Sequence, residues 1–191
     1  MLAYLLWHRP ADGIEREAYE RACAHFHRSL RHTPPAGFRG STVFRAGELP
    51  WLAGDTYEDW YFLDDFAALG VLNEAAVAHG HRGAHDDVAR RFGAGAGGLY
   101  GLLEGHADLA GAPLAVWVAR PPGVARPPLG ELLGDGMDPR HASLWRRALV
   151  FGPAPEYCLL TREPPGGVAP TRLPEGWRAL TCARELLWPS G

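Results

Sequence analysis

LAYLLWHRP at residues 2–10 is echoed by LAVWVARPP at residues 114–122. Each segment begins Leu-Ala, runs apolar and closes on Arg-Pro. A short apolar run that stops at a proline reads as a buried strand. The text that follows each copy is also similar. After the first come a helical pattern, then PPAGFRGSTVFR (34–45), then TYEDWYFLDDF (56–66). After the second, a helix is expected over about 139–149, with Asp138 as its cap and Pro139 at its first position. Then come PAPEYCLLTR (153–162) and GWRALTCAREL (176–186). The reading is a tandem duplication of one strand–helix–strand–strand unit.

Between the repeats, Tyr19, Ala22, Cys23, Phe26 and Leu30 recur at the spacing of one helix face, and Pro34-Pro35 ends that helix. Residues 38–44 and 57–63 read as strands, with a loop between them at 47–54. Asp64 or Asp65 can cap a second helix through Phe66, Leu69, Leu72 and Ala76. A short helix follows at 86–92, then a glycine-rich turn at 93–98 and a strand at 99–103.

Strand–helix–strand–strand–helix–strand is the ferredoxin-like order, an antiparallel sheet with helices on one face. The expected fold class is α+β: tandem ferredoxin-like units whose sheets pack face to face with helices outside, an α/β-barrel-like arrangement. Residues 1–111 form a complete unit. Residues 112–191 form a second, truncated unit lacking the second helix and fourth strand. In element order and in YEDWYFLDDFAAL (57–69) the chain resembles the dimeric α/β-barrel superfamily. That superfamily includes antibiotic-biosynthesis-type monooxygenases, stress-responsive barrel proteins and chlorite dismutase-like haem proteins. The resemblance implies a fold and carries little about activity.

Composition narrows the function classes. The 191 residues carry a net charge of −3, with 47% hydrophobic and 21% charged residues, which is globular and gives no basic footprint for nucleic acid. All 19 basic residues are arginine, so no Schiff-base lysine and no lysine-bearing phosphate loop exist. Cys23, Cys158 and Cys182 lie too far apart for a disulfide framework and read as reduced, buried thiols of a cytoplasmic protein. The N-terminus has no basic flank or small-residue cleavage site, so no signal peptide is expected, and no stretch is long enough to span a membrane.

Two constellations could carry chemistry. Strand alternation puts Tyr4 and His8 on one face. If that face lines the space between the sheets, they enter a cavity that Trp60 could join, with His8 a general base or haem ligand. His79, His81, His85 and Asp86 form a dense polar cluster that could hold a divalent metal, although a solvated loop explains it equally well. His25, His27 and His32 fall on or beside the polar flank of the first helix and are expected to be solvated.

The leading expectation is a small-molecule enzyme of the monooxygenase-like type, taking a small apolar or aromatic ligand in a pocket between the sheets. The alternatives are a non-catalytic ligand- or haem-binding barrel and a packed structural protein. The sequence assigns no cofactor. An open sheet edge in the truncated half would make a homodimer at least as favourable as a monomer.

Overall fold

The structure is a computed structural model that describes residues 1–78, 80–107, 111–125, 141–162, 173 and 175–189. The first half runs β1 (Leu2–Pro10), α1 (Arg16–His32), β2 (Phe38–Leu49), β3 (Leu52–Leu63), α2 (Phe66–Ala76), α3 (Arg82–Ala89) and β4 (Phe92–Gly105). The second half contributes β5 (Leu114–Ala119), β6 (Ala142–Arg147), β7 (Tyr157–Thr161), β8 (Arg178–Ala183) and β9 (Glu185–Trp188).

These strands form one antiparallel sheet of the order β8-β5-β7-β6-β4-β1-β3-β2-β9. Its two halves repeat one permutation. β4-β1-β3-β2 places the strands of the first half as fourth-first-third-second, and β8-β5-β7-β6 does the same for the second. The halves join through β4 and β6, where Tyr100 faces Arg147 and Leu102 faces Trp145. The fold is therefore the expected tandem of ferredoxin-like units.

The far edges are brought together by the end of the chain. β8 pairs with β5, and β9 pairs with β2 at the other end of the sheet. Only Arg184 separates β8 from β9, so one nearly continuous extended segment bridges both edges and almost closes the sheet into a barrel. Its backbone N–H donates to the Pro113 carbonyl at 2.7 Å.

The barrel interior is filled by aromatic side chains. Trp7, Trp60, Trp117, Trp145, Tyr100 and Phe44 are fully buried there. Trp7 meets Trp51 and Trp117 edge-on at 5.4 and 5.5 Å, and Trp60 meets Trp145 at 5.5 Å. Edge-to-face packing suits the ring quadrupoles. In the middle sits a buried ion pair. The Arg184 Nη1 donates to Glu58 Oε1 at 2.5 Å, and the indoles of Trp60 and Trp7 donate to the two carboxylate oxygens at 2.7 and 2.8 Å. The guanidinium also donates to the Ala112 carbonyl and lies 3.9 Å over the Phe44 ring.

Several sequence readings are corrected. Residues 142–147 are the strand β6, not part of a helix over 139–149. Ala142, Ser143, Leu144 and Trp145 are all buried, so both faces of this segment are covered and it has no polar side to reveal a period of two. β6 takes second place in the repeat, which moves residues 157–161 to third and 178–183 to fourth. The second half thus has the fourth strand it was expected to lack. Its proposed cap Asp138 and Pro139 lie outside the described residues.

The glycine-rich segment 93–98 is strand, not turn, and pairs with β1 from Leu5 to Arg9. Its glycines make room for large neighbours. A Cβ on Gly95 would come within 2.6 Å of the Phe92 ring and 2.8 Å of the Trp7 carbonyl. One on Gly98 would stand 3.0 Å from the Trp7 indole. The expected loop at 47–54 shrinks to a tight connection, since Leu49 already pairs with Leu52.

Candidate functional site

The outer face of β1 and β3 lies under α1 and α3. Alternation turns Leu2, Tyr4, Leu6 and His8 of β1 outward, with Tyr57, Asp59 and Tyr61 of β3 beside them. Glu58, Trp60 and Phe62 point the other way, into the barrel. From above, α1 lays down a stripe of Tyr19, Cys23, Phe26, His27 and Leu30.

Three titratable side chains meet under that stripe. Asp59 stands between two imidazoles, with Oδ1 3.1 Å from His8 Nε2 and Oδ2 3.3 Å from His27 Nε2. All three are buried. Tyr61 donates its hydroxyl proton to Asp59 Oδ2 at 2.8 Å. On their other nitrogens, His8 Nδ1 meets the Tyr19 hydroxyl at 2.6 Å and His27 Nδ1 meets the Ser41 hydroxyl at 2.7 Å. A hydroxyl both donates and accepts, so either tautomer of either ring is satisfied at Nδ1. Stacking fixes the rings in place: His27 lies on Tyr61 at 5.1 Å and 10°, and His8 lies on Tyr57 at 5.7 Å and 18°.

The two imidazole–carboxylate contacts are close but not aligned as hydrogen bonds. His8 Nε2, His27 Nε2 and Asp59 Oδ1 are consequently buried without an aligned partner. Such atoms call for an explanation in a native structure. Burial by itself would raise the Asp59 pKa, but the flanking imidazoles outweigh it and hold the carboxyl well below its ordinary range. Burial, joined by repulsion from the Asp59 charge, pushes the Tyr61 and Tyr19 hydroxyls up, so both remain neutral donors.

His8 and Asp59 open onto a pocket of about 250 Å³ between the sheet and α1 and α3. Its walls are mainly apolar: Leu6, Phe26, Tyr61, Val88 and Phe92, with Cys23 and His85 also contributing. An apolar cleft with a few convergent polar atoms is the usual form of a small-molecule site. The volume falls just below the range of about 300–1,000 Å³ typical of drug-sized ligands.

Of the residues expected at the site, Tyr4 and His8 share the outer face, and Tyr4 stacks on Tyr61 at 5.8 Å. Trp60 is on the opposite face, inside the barrel. The face bearing His8 lines the space under the helices, not the space between the sheets, because the sheet's other face carries the larger apolar side chains. In the histidine cluster, His79 lies outside the described residues. His81 is buried and turned to Ser29 of α1, with Nδ1 2.6 Å from its hydroxyl. His85 is half-buried, 3.2 Å from Asp86 Oδ1, and reaches the pocket wall. Among the described residues no group of three or more His, Cys, Asp or Glu side chains is arranged to hold a metal ion. Haem, which the resemblance would allow, does not fit the barrel, whose interior is occupied by indoles and the Glu58–Arg184 pair.

Asp59, His27, Tyr19, Tyr61 and Ser41 were not singled out from the sequence. A signal existed for His27. It stands eight residues after Tyr19 and four after Cys23, on the apolar stripe and not on the polar flank.

No protein-family model and no curated protein matches the chain. Solved structures of similar shape do. A protein described as anthrone oxidase-like is 8% identical with a TM-score of 0.52, over 97% of this chain and 90% of that one. A dimeric protein of unknown function and ferredoxin-like fold from Bacteroides fragilis is 14% identical with a TM-score of 0.37, over 51% of this chain and 92% of that one. A protein from Arabidopsis thaliana is 13% identical with a TM-score of 0.44, over 53% of this chain and 94% of that one. The class that the fold defines is an α/β-barrel built from ferredoxin-like units. In particular, the chain shares its fold with the anthrone oxidase-like protein over nearly its whole length. Among the described residues no helix is long and apolar enough to cross a membrane.

Proposed function

We propose that this protein is a small-molecule enzyme of the monooxygenase-like type, acting on a small hydroxylated aromatic in the pocket under α1 and α3. One observation carries the reading. His8 and Asp59 both line an apolar pocket, and their Nε2 and Oδ1 atoms are buried without an aligned partner. A ligand hydroxyl entering from the pocket would donate to His8 Nε2 beside the Asp59 carboxylate, while its ring would lie against Phe26, Val88 and Phe92.

In this reading His8 is the general base. It takes the ligand's proton at Nε2, and the Asp59 carboxylate stabilises the resulting imidazolium. Tyr19 orients the ring through Nδ1. The deprotonated aromatic is electron-rich, the form that reacts with dioxygen most readily. The fold shared with the anthrone oxidase-like protein supports this reaction class. Residues 1–111 would carry the site. The strands β5 to β9 would close the barrel.

The test is oxygen uptake by the purified chain with anthrone and with simpler phenols as substrates. Wild type should consume oxygen. His8→Gln and Asp59→Asn should lose at least about a hundredfold, the low end of what a positioned acid–base group contributes. Trp60→Phe should retain activity. Absence of uptake with tight binding of 2-naphthol would favour a ligand-binding protein. Absence of both would favour a packed structural protein, a reading that draws on the filled barrel.

A further inference from the structure

The site does not end at Asp59. On the far side of the carboxylate, away from the pocket, His27 continues the chain of polar atoms, and His27 does not line the pocket. Its Nε2 is 3.3 Å from Asp59 Oδ2, and its Nδ1 is 2.7 Å from Ser41 Oγ. Ser41, on β2, is itself nearly buried but forms part of the wall of a separate surface recess of about 180 Å³, with Phe38, Arg39 and Trp188. A line of exchangeable groups, with close but unaligned contacts of 3.1 and 3.3 Å at Asp59, thus joins two openings.

We infer that His8, Asp59, His27 and Ser41 form a proton path that connects the pocket under α1 and α3 to the recess beside Trp188. The inference deepens the proposed function and rests on its assignment of His8 as the base. A ligand in a pocket of this size covers His8 and blocks return of its proton through the pocket mouth. The proton then has a route the other way. It passes from His8 Nε2 to Asp59 Oδ1, where the lowered pKa makes the protonated carboxyl a short-lived carrier; the carboxyl turns about its Cβ–Cγ bond and delivers the proton to His27 Nε2, which makes a transient imidazolium. That ring releases its Nδ1 proton to the Ser41 hydroxyl, and Ser41 gives up its own proton to water in the recess. One proton enters and one leaves, and no heavy-atom bond changes. The stacking of His27 on Tyr61 holds both nitrogens on line. His27 and Ser41 are positioning residues here, since neither touches the ligand.

A structural role for Ser41 makes the opposite prediction from a conducting one, which allows a test without any ligand. Exchange of the His27 ring N–H with solvent is followed by NMR in the full chain. Ser41→Ala should slow it by about a hundredfold, in keeping with loss of a positioned proton carrier. Ser41→Thr should restore it. A merely structural hydroxyl would, on removal, loosen the site and speed exchange, so unchanged or faster exchange overturns the path. A second measurement needs no variant. His27 and the Trp60 and Trp145 indoles are equally buried. Relative to the free side chains, the His27 proton should be much less protected than the two indole protons. Equal protection also overturns the path. Either failure leaves oxygen uptake and its dependence on His8 intact, so the path and the enzyme reading fall separately.

Discussion

Replacing Arg184 by methionine tests how the barrel is closed. The side chain lies at the single residue between β8 and β9 and reaches the centre of the aromatic interior. Methionine keeps much of the volume but removes the ion pair with Glu58, the bond to the Ala112 carbonyl and the stacking over Phe44. Glu58 keeps its two indole donors but loses the Arg184 charge. Removing one partner of a buried pair costs about 3–5 kcal/mol, because the remaining charge stays desolvated. With a urea slope of about 2 kcal/mol per molar, the midpoint should fall by about 1.5–2.5 M. Tryptophan fluorescence reports the transition, since Trp7 and Trp60 bond directly to Glu58. The double variant Glu58→Gln with Arg184→Met removes both charges and keeps an acceptor for the indoles. It should recover most of the loss, because uncharged isosteres of a buried pair are often neutral in stability. A single-variant cost below about 1 kcal/mol, the size of an exposed ion pair, would refute this reasoning. So would additive losses in the double variant.

Thiol reagents should leave the native protein unlabelled at neutral pH. Burial pushes the Cys182 thiol up to about 12 and raises Cys23 and Cys158 as well, so labelling of all three should appear only on unfolding in urea. The folded pKa of Asp59 lies below its unfolded value near about 3.9, so its contribution is present above that pH and is lost as pH falls through the folded value. Acid titration of stability should therefore be steeper for wild type than for Asp59→Asn below about pH 4. Gly95→Ala forces a Cβ against the Phe92 ring and the Trp7 carbonyl and should cost about 1–3 kcal/mol in chemical denaturation.

Much of the fold was legible because β1 and β5 keep the same Leu-Ala opening and Arg-Pro close, and each is the first strand of its half in chain order and takes the same place in its half of the sheet. What could not be read was the identity of segments buried on both faces. Residues 142–147 carry no alternation, and the Asp138-Pro139 start signal outweighed their strand character. The glycine run at 93–98 looked like a turn because its purpose, space for Trp7 and Phe92, lies in another part of the chain. At the site, alternation correctly joined Tyr4 to His8. It could not say which face of the sheet the helices cover, and that choice moved the pocket from inside the barrel to beneath α1. Asp59 escaped notice between Glu58 and Trp60, since a single strand reads DW and ED as one polar–aromatic patch while the two faces separate them.

The location of the pocket is tested most directly by binding 2-naphthol to the full chain and following the chemical shifts of side chains on both faces of the sheet. The largest perturbations should fall on His8, Phe26, Val88 and Phe92, with the Trp60, Trp117 and Trp145 indoles unmoved. Perturbation of those indoles with His8 unchanged would place the ligand inside the barrel and contradict the account.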